Sequence, residues 1–144
     1  MTVQVKNITL WRRELENRPG ALAETLEPLA SAGASLRLVM GYRHPGDEGR
    51  ASVELYPVSG KKASAAAARA GLSASSIPAL LVEGDDRPGL GHAISRALAD
   101  AGINLAFLMA QVIGRKYSAV VGFESASDAS RAAGLIRKIR APKK

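Results

Sequence analysis

Asn17-Arg18-Pro19-Gly20-Ala21-Leu22 and, further along, Asp86-Arg87-Pro88-Gly89-Leu90 decide how this chain is read. Each stretch ends an apolar run and opens a helical one, and the helical runs close at Ala32-Gly33 and Ala101-Gly102. The offset is 69 residues throughout, from Arg18 to Arg87 and from Gly33 to Gly102. At that offset Leu29 meets Leu98, Ala30 meets Ala99, Leu36 meets Leu105 and Met40 meets Met109. A shared turn, helix length and following strand, without a gap, reads as an internal duplication.

On either side of these corners both copies read alike. Residues 3–13 and 77–83 are rich in Val, Ile, Leu and Trp and read as strands. Pro19 and Pro88 suit a first helical turn, and Asn17 and Asp86 suit a cap before it. The first helix carries an apolar stripe of Leu22, Leu26 and Leu29. The second carries Leu90, Ile94, Ala97 and Ala101, shifted by one position. Gly33 and Gly102 fall where a left-handed helix end needs them. Pro28 lies inside the first helix and predicts a kink, because the stripe resumes at Leu29.

A strand follows in each copy, at residues 35–42 and 103–113. Hairpin tips come at Pro45-Gly46-Asp47-Glu48-Gly49 and Gly114-Arg115-Lys116, with return strands at 51–58 and 117–123. Second helices are expected at 61–70 and 128–139. The order is β-α-β-β-α twice, the split βαβ plan, with helices on one face of each antiparallel sheet. The fold class is α+β: two ferredoxin-like βαββα(β) units, at residues 1–73 and 74–144. Residues 72–76 offer the first unit a short closing strand. The second unit reads as lacking its last strand, which leaves an edge for a partner chain to cover.

Composition bounds the function. The 144 residues are 47% hydrophobic and 4% aromatic, so Leu, Ile, Val and Ala must build the core. There is no cysteine, hence no disulfide or thiolate metal site, and His44 and His92 have no neighbours at ligand spacing. The N-terminus has no long apolar run of the secretory kind, and no run is long enough to span a membrane. A soluble cytoplasmic protein without membrane association is the expectation. The net charge of +7 is concentrated partly at the end, in Arg137, Lys138, Arg140, Lys143 and Lys144, and reads first as a solvated tail.

Other signals fail on inspection. Gly89-Leu90-Gly91 starts like a dinucleotide fingerprint, but Ile94 stands where its third glycine belongs. Ser59-Gly60-Lys61-Lys62 would need the first phosphate-loop glycine at Leu55. No paired carboxylates and no nucleophile beside a base suggest catalysis. Tyr42, Tyr56 and Tyr117 form no RNA-stacking pattern, and Met40 and Met109 read as core.

With these residues in view, the chain resembles the ACT-domain proteins, and most closely the stand-alone tandem-ACT, amino-acid-binding type. The resemblance rests on Leu15-Glu16-Asn17-Arg18-Pro19-Gly20-Ala21-Leu22, on Asp85-Asp86-Arg87-Pro88-Gly89-Leu90, and on the later Ala101-Gly102-Ile103-Asn104-Leu105. It covers nearly the whole chain. It implies a non-catalytic regulatory module with no cofactor, binding an amino acid or related small molecule at an interface between ACT units. It also implies a homodimer, and a separate regulated protein as partner. Two departures stand out: Ser35 replaces the amide of Asn104, and Asp86 replaces Asn17, so the two sites are not equivalent.

The candidate ligand-binding residues are therefore Asn17, Arg18, Pro19, Gly20 and Leu22 in the first unit. In the second they are Asp86, Arg87, Pro88, Gly89, Leu90 and Asn104. Helix N-termini offer unpaired N–H groups to a carboxylate, the glycines allow close approach, Asn17 or Asn104 can orient one end of a ligand, Asp86 suits an ammonium, and Leu22 or Leu90 could wall a side-chain pocket. For each turn the plainer reading is a capped helix on a tight turn. The alternative function is a basic nucleic-acid-binding module of the same fold, which predicts binding that falls steeply with salt.

Overall fold

The structure is a computed structural model that describes residues 3–139. Its elements run β1 (Gln4–Ile8), β2 (Trp11–Glu16), α1 (Ala21–Ser31), β3 (Leu38–His44), β4 (Asp47–Tyr56), α2 (Gly60–Arg69), β5 (Ser73–Ala74), β6 (Ala79–Asp85), α3 (Leu90–Asp100), β7 (Leu105–Ile113), β8 (Lys116–Phe123) and α4 (Ala126–Arg137). They form two four-stranded antiparallel sheets, ordered β3-β4-β2-β5 and β1-β6-β8-β7. This is the ferredoxin-like pattern expected, twice.

The division of the chain differs from the expected halves. Residues 3–13 do not make one strand. Gln4–Ile8 pairs with β6, in register Gln4 with Glu83 through Ile8 with Ala79, and Trp11–Glu16 pairs with β4. One unit is Thr9–Ser76; the other takes everything from Ile77 together with the N-terminal stretch through Ile8. The second unit therefore lacks no strand, since the chain's own start supplies the missing one. Its Val3 and Val5 pack into the core of that unit, and Arg137 of α4 donates to the Val5 carbonyl at 3.0 Å. Arg140, Lys143 and Lys144 of the basic tail lie outside the described residues.

The Thr9–Ser76 unit closes with two residues only: β5 pairs with Trp11 and Arg12 and goes no further. Its core is Leu29, Val53, Leu55, Ala66, Ala67, Ala70 and Leu72, with Trp11 and Leu15 partly buried against it. The other unit's core is larger and includes Leu80, Val82, Ile94, Leu98, Val121, Phe123 and Ile136.

The helix stripes coincide; they are not shifted. The buried positions are Ala21, Thr25 and Leu29 in α1 and Leu90, Ile94 and Leu98 in α3, each pair 69 residues apart. Leu22 is left out of the stripe and is 41% exposed. Thr25 stands where Ile94 stands in the second unit, and Arg13 where Val82 stands. Their polarity is matched: Arg13 donates to the Thr25 hydroxyl at 3.0 Å and to the Ala70 carbonyl at 2.9 Å. A buried polar side chain is tolerated when its partners are this complete. α1 runs through Pro28, as expected from Leu29 beyond it. Met40 and Met109 are half-buried on the sheet faces away from the helices, outside both cores.

Candidate functional site

Pro19-Gly20 and Pro88-Gly89 are type II turns, not first helical turns. The Ala21 N–H donates to the Arg18 carbonyl at 3.3 Å, and the Leu90 N–H donates to the Arg87 carbonyl at 3.2 Å. Gly20 has φ 90° and ψ −17°, Gly89 φ 85° and ψ 1°, the third-position geometry that requires glycine after proline. These glycines are themselves the helix N-caps, and no side chain caps either helix. The proline–glycine pair is in the sequence because it bends the chain from strand into helix within one turn.

The capping role expected of Asn17 and Asp86 is therefore not theirs. Each anchors the corner to the hairpin tip beside it. The Asn17 N–H donates to the Gly49 carbonyl at 2.9 Å, and its Nδ2 donates to the Glu48 carbonyl at 2.7 Å. The Asp86 N–H donates to the Arg115 carbonyl at 2.8 Å. In α1 the Gly20 carbonyl accepts from Glu24, which leaves the N–H groups of Leu22 and Ala23 without an intrahelical acceptor.

Beneath this first turn the Thr9–Ser76 unit has a cleft of about 280 Å³. It is bounded by the end of β2 and the corner (Leu15, Glu16, Asn17, Arg18), by the start of α1 (Ala21, Leu22), and by neighbouring stretches of β3 and β4. From β3 come Gly41 and Arg43; from β4 come Ala51 and Val53. A side chain at Gly41 would meet nothing within 4 Å, so the space there is open. All these residues belong to one unit. The structure thus brings Asn17, Arg18 and Leu22 together in a cleft, while Pro19 and Gly20 make the turn between Arg18 and α1 and are not part of its lining.

The two arginines in the cleft differ. Arg18 is held by Glu24 at 2.7 Å and Glu16 at 3.3 Å. The Arg18 partnership keeps the Glu24 carboxyl below its ordinary value, and the same contact raises Arg18. Arg43 makes no ion pair with any described residue. Arg43, Gly41, Leu15 and Ala51 were not among the residues expected to bind a ligand. They enter through strand register, which the duplication does not reveal.

The second corner is built alike and filled differently. Leu90 is buried, 6% exposed, and belongs to the core. Tyr117 of β8 stands opposite Gly84 just as Ala51 of β4 stands opposite Leu15. Its ring is in the same core, 6% exposed, and a side chain on Gly91 would lie 3.6 Å from its hydroxyl. That hydroxyl is buried without a hydrogen-bond partner among the described residues. Burial first, and the charge of Asp86 second, raise the Tyr117 phenol above its ordinary pKa. Asn104 is elsewhere engaged, donating to Glu124 at 2.9 Å on the surface.

Among the described residues no group of His, Asp or Glu could hold a metal ion, and no helix is long and apolar enough to cross a membrane. No protein-family model and no curated protein matches the chain. Solved structures do. A protein from Bacteroides thetaiotaomicron matches with TM-score 0.72 at 14% identity, over 94% of this chain and 99% of that one. The ligand-free regulatory subunit of aspartate kinase from Thermus thermophilus matches with TM-score 0.58 at 17% identity, over 94% and 97%. A structure of aspartokinase alpha and beta subunits matches with TM-score 0.62 at 16% identity, over 96% of each. At these identities the likeness is one of fold. It agrees with the two sheets, the four helices and the repeated corner: in fold, this chain is a tandem of two ferredoxin-like βαββαβ units, like the regulatory subunit of aspartate kinase.

Proposed function

We propose that the chain is a non-catalytic regulatory module that binds one free amino acid in the cleft under α1. The observation that carries this is the meeting of three features in one small space: the helix start at Leu22, whose N–H has no intrahelical acceptor, the guanidinium of Arg43, which makes no ion pair with a described residue, and an apolar floor. A carboxylate gains from both the helix terminus and the cation. Glu16, at the rim, suits the ammonium. Leu15, Ala51, Val53 and Leu22 suit a compact aliphatic side chain. The volume lies just under the range of pockets that take drug-sized ligands, which is the size an amino acid needs.

Regulation then acts through association. β3 is the free edge of its sheet and borders the cleft, and Val39 and Tyr42 on it are 42% and 40% exposed. A second copy laid along β3 would cover the cleft mouth, so ligand and homodimer would favour each other. A separate protein would read the dimer. The nucleic-acid alternative rests on the net charge of +7, which speaks of solubility and weak attraction and by itself marks no base-reading surface.

The test is a thermal-shift and calorimetric screen of the twenty amino acids, one at a time. One or a few should raise Tm by several degrees at about a hundred times Kd, where binding adds roughly 2.7 kcal/mol. No heat and no shift with any of them would count against the proposal.

A further inference from the structure

We propose that the second corner is not a ligand site, because Tyr117 occupies it permanently from within, and that the residue at the Ala51/Tyr117 position decides whether an ACT corner of this chain is open. This rests on the reading of the first corner as an amino-acid site.

The two corners match position by position. The corners share the type II turn, the glycine N-cap, the backbone tie to the hairpin tip and an eleven-residue helix. What differs is where the bulk comes from. In the first unit Leu15 faces Ala51, in the second Gly84 faces Tyr117. Gly84 is bare because Val3 of β1 packs over it: a side chain at Gly84 would lie 3.1 Å from the Val3 Cγ1 and 3.3 Å from its backbone. The short β5 of the first unit ends at Trp11 and Arg12 and never reaches Leu15.

The rest of the lining follows suit. Gly41 and Arg43 on β3 correspond by register to Ala110 and Val112 on β7. The second corner thus loses the open glycine and the cation together. Its leading helical residue, Leu90, is buried like its counterpart Ala21, but it brings a leucine's bulk to the core that also holds Tyr117. A buried tyrosine hydroxyl without a partner costs free energy that a phenylalanine would not. Tyr117 keeps it at the place where a ligand's polar end would approach the first turn of α3.

The deciding experiment is NMR on the whole chain, titrated with each of the twenty amino acids in turn, with Tyr117 ring contacts followed alongside. The expected result is amide shifts confined to residues 15–22, 41–43 and 51–53, while nuclear Overhauser contacts from the Tyr117 ring to Gly91 persist at saturation. Shifts at residues 86–91, or loss of those ring contacts on titration, would overturn the proposal. If no amino acid shifts either corner, the functional reading of the first corner fails. The ring contacts still decide separately whether Tyr117 fills the second: present they support the plug, absent they overturn it. Tyr117→Phe, which keeps the bulk, should leave the pattern of shifts unchanged. Tyr117→Ala should add shifts at 86–91; a folded Tyr117→Ala chain that adds none, with a ligand still seen at the first corner, would also count against it.

Discussion

At one corner of the molecule a leucine from β2 faces an alanine from β4. At the other a glycine from β6 faces a tyrosine from β8. The backbones around them are near copies, down to glycine φ values of 90° and 85°. The total side-chain bulk is shared between facing strands in both, yet it is distributed differently, and only one distribution leaves a cleft. The comparison teaches that a repeated motif fixes a turn and a helix start, while the site beneath is set by residues that the motif does not contain. A second contrast runs deeper in the units. Arg13 and Thr25 make a polar bridge where the other unit has Val82 and Ile94.

The largest effect should come from removing what makes the units unlike. Deleting residues 1–8 takes Val3, Val5 and a whole strand from the second unit. Burying a valine side chain is worth about 1.5–3 kcal/mol, so roughly 3 kcal/mol or more should go. Hydrogen exchange should show protection falling first along Ala79–Asp85. Equal loss of protection in β2 and β4 would break the division drawn between the units.

Binding should separate the two arginines of the open corner. Arg43→Ala removes the unpaired cation and should weaken amino-acid binding by about 10- to 100-fold, the worth of a hydrogen bond to a charged group. Arg18→Ala, whose charge is already matched by Glu16 and Glu24, should cost less than about threefold. Calorimetry on both variants checks the order, and a reversed order would move the anion site toward the corner itself.

The core contrast is sharpened by a double-mutant cycle. Thr25→Ile alone leaves the Arg13 guanidinium short of a buried partner and should cost about 1–3 kcal/mol in urea unfolding. Arg13→Val with Thr25→Ile copies the second unit and should recover most of that loss. A double variant as unstable as the sum of the singles would mean that the bridge is not a unit.

The smallest effect belongs to Tyr117→Phe, which removes a hydroxyl without a partner and should raise stability by up to about 1 kcal/mol. Its pH signature is more telling. The fold raises the Tyr117 pKa and so favours the neutral phenol. The wild-type stability it contributes is level below the ordinary tyrosine value of about 10 and is lost as pH climbs above it. In Tyr117→Phe that alkaline loss should shrink.

Much of this was legible in the chain. The duplication runs without a gap from corner to following strand, so turns, helix ends and hairpins could be read from local signals such as Pro19-Gly20 and Ala101-Gly102. The exchange of the first strand was not. Residues 3–13 carry no glycine or proline to mark the break between Ile8 and Trp11, and strand pairing is non-local. Asn17, Arg18 and Leu22 belong to the repeated motif and also line the cleft, but the cleft's other wall carries no signal in the sequence. Ala51 and Tyr117 are 66 residues apart, not 69, because the hairpins differ in length, so their equivalence appears only with the register. Nothing around Asn104 in the chain signals its hydrogen bond to Glu124, twenty residues further on.

The most direct test is a side-by-side calorimetric titration of the natural chain and Ala51→Tyr with whichever amino acid raises Tm most. If small size at that one strand position is what opens a binding space, the natural protein will take up one ligand per chain. The variant will then release no heat while melting at or above the natural temperature. Equal affinity in the two proteins would contradict the account.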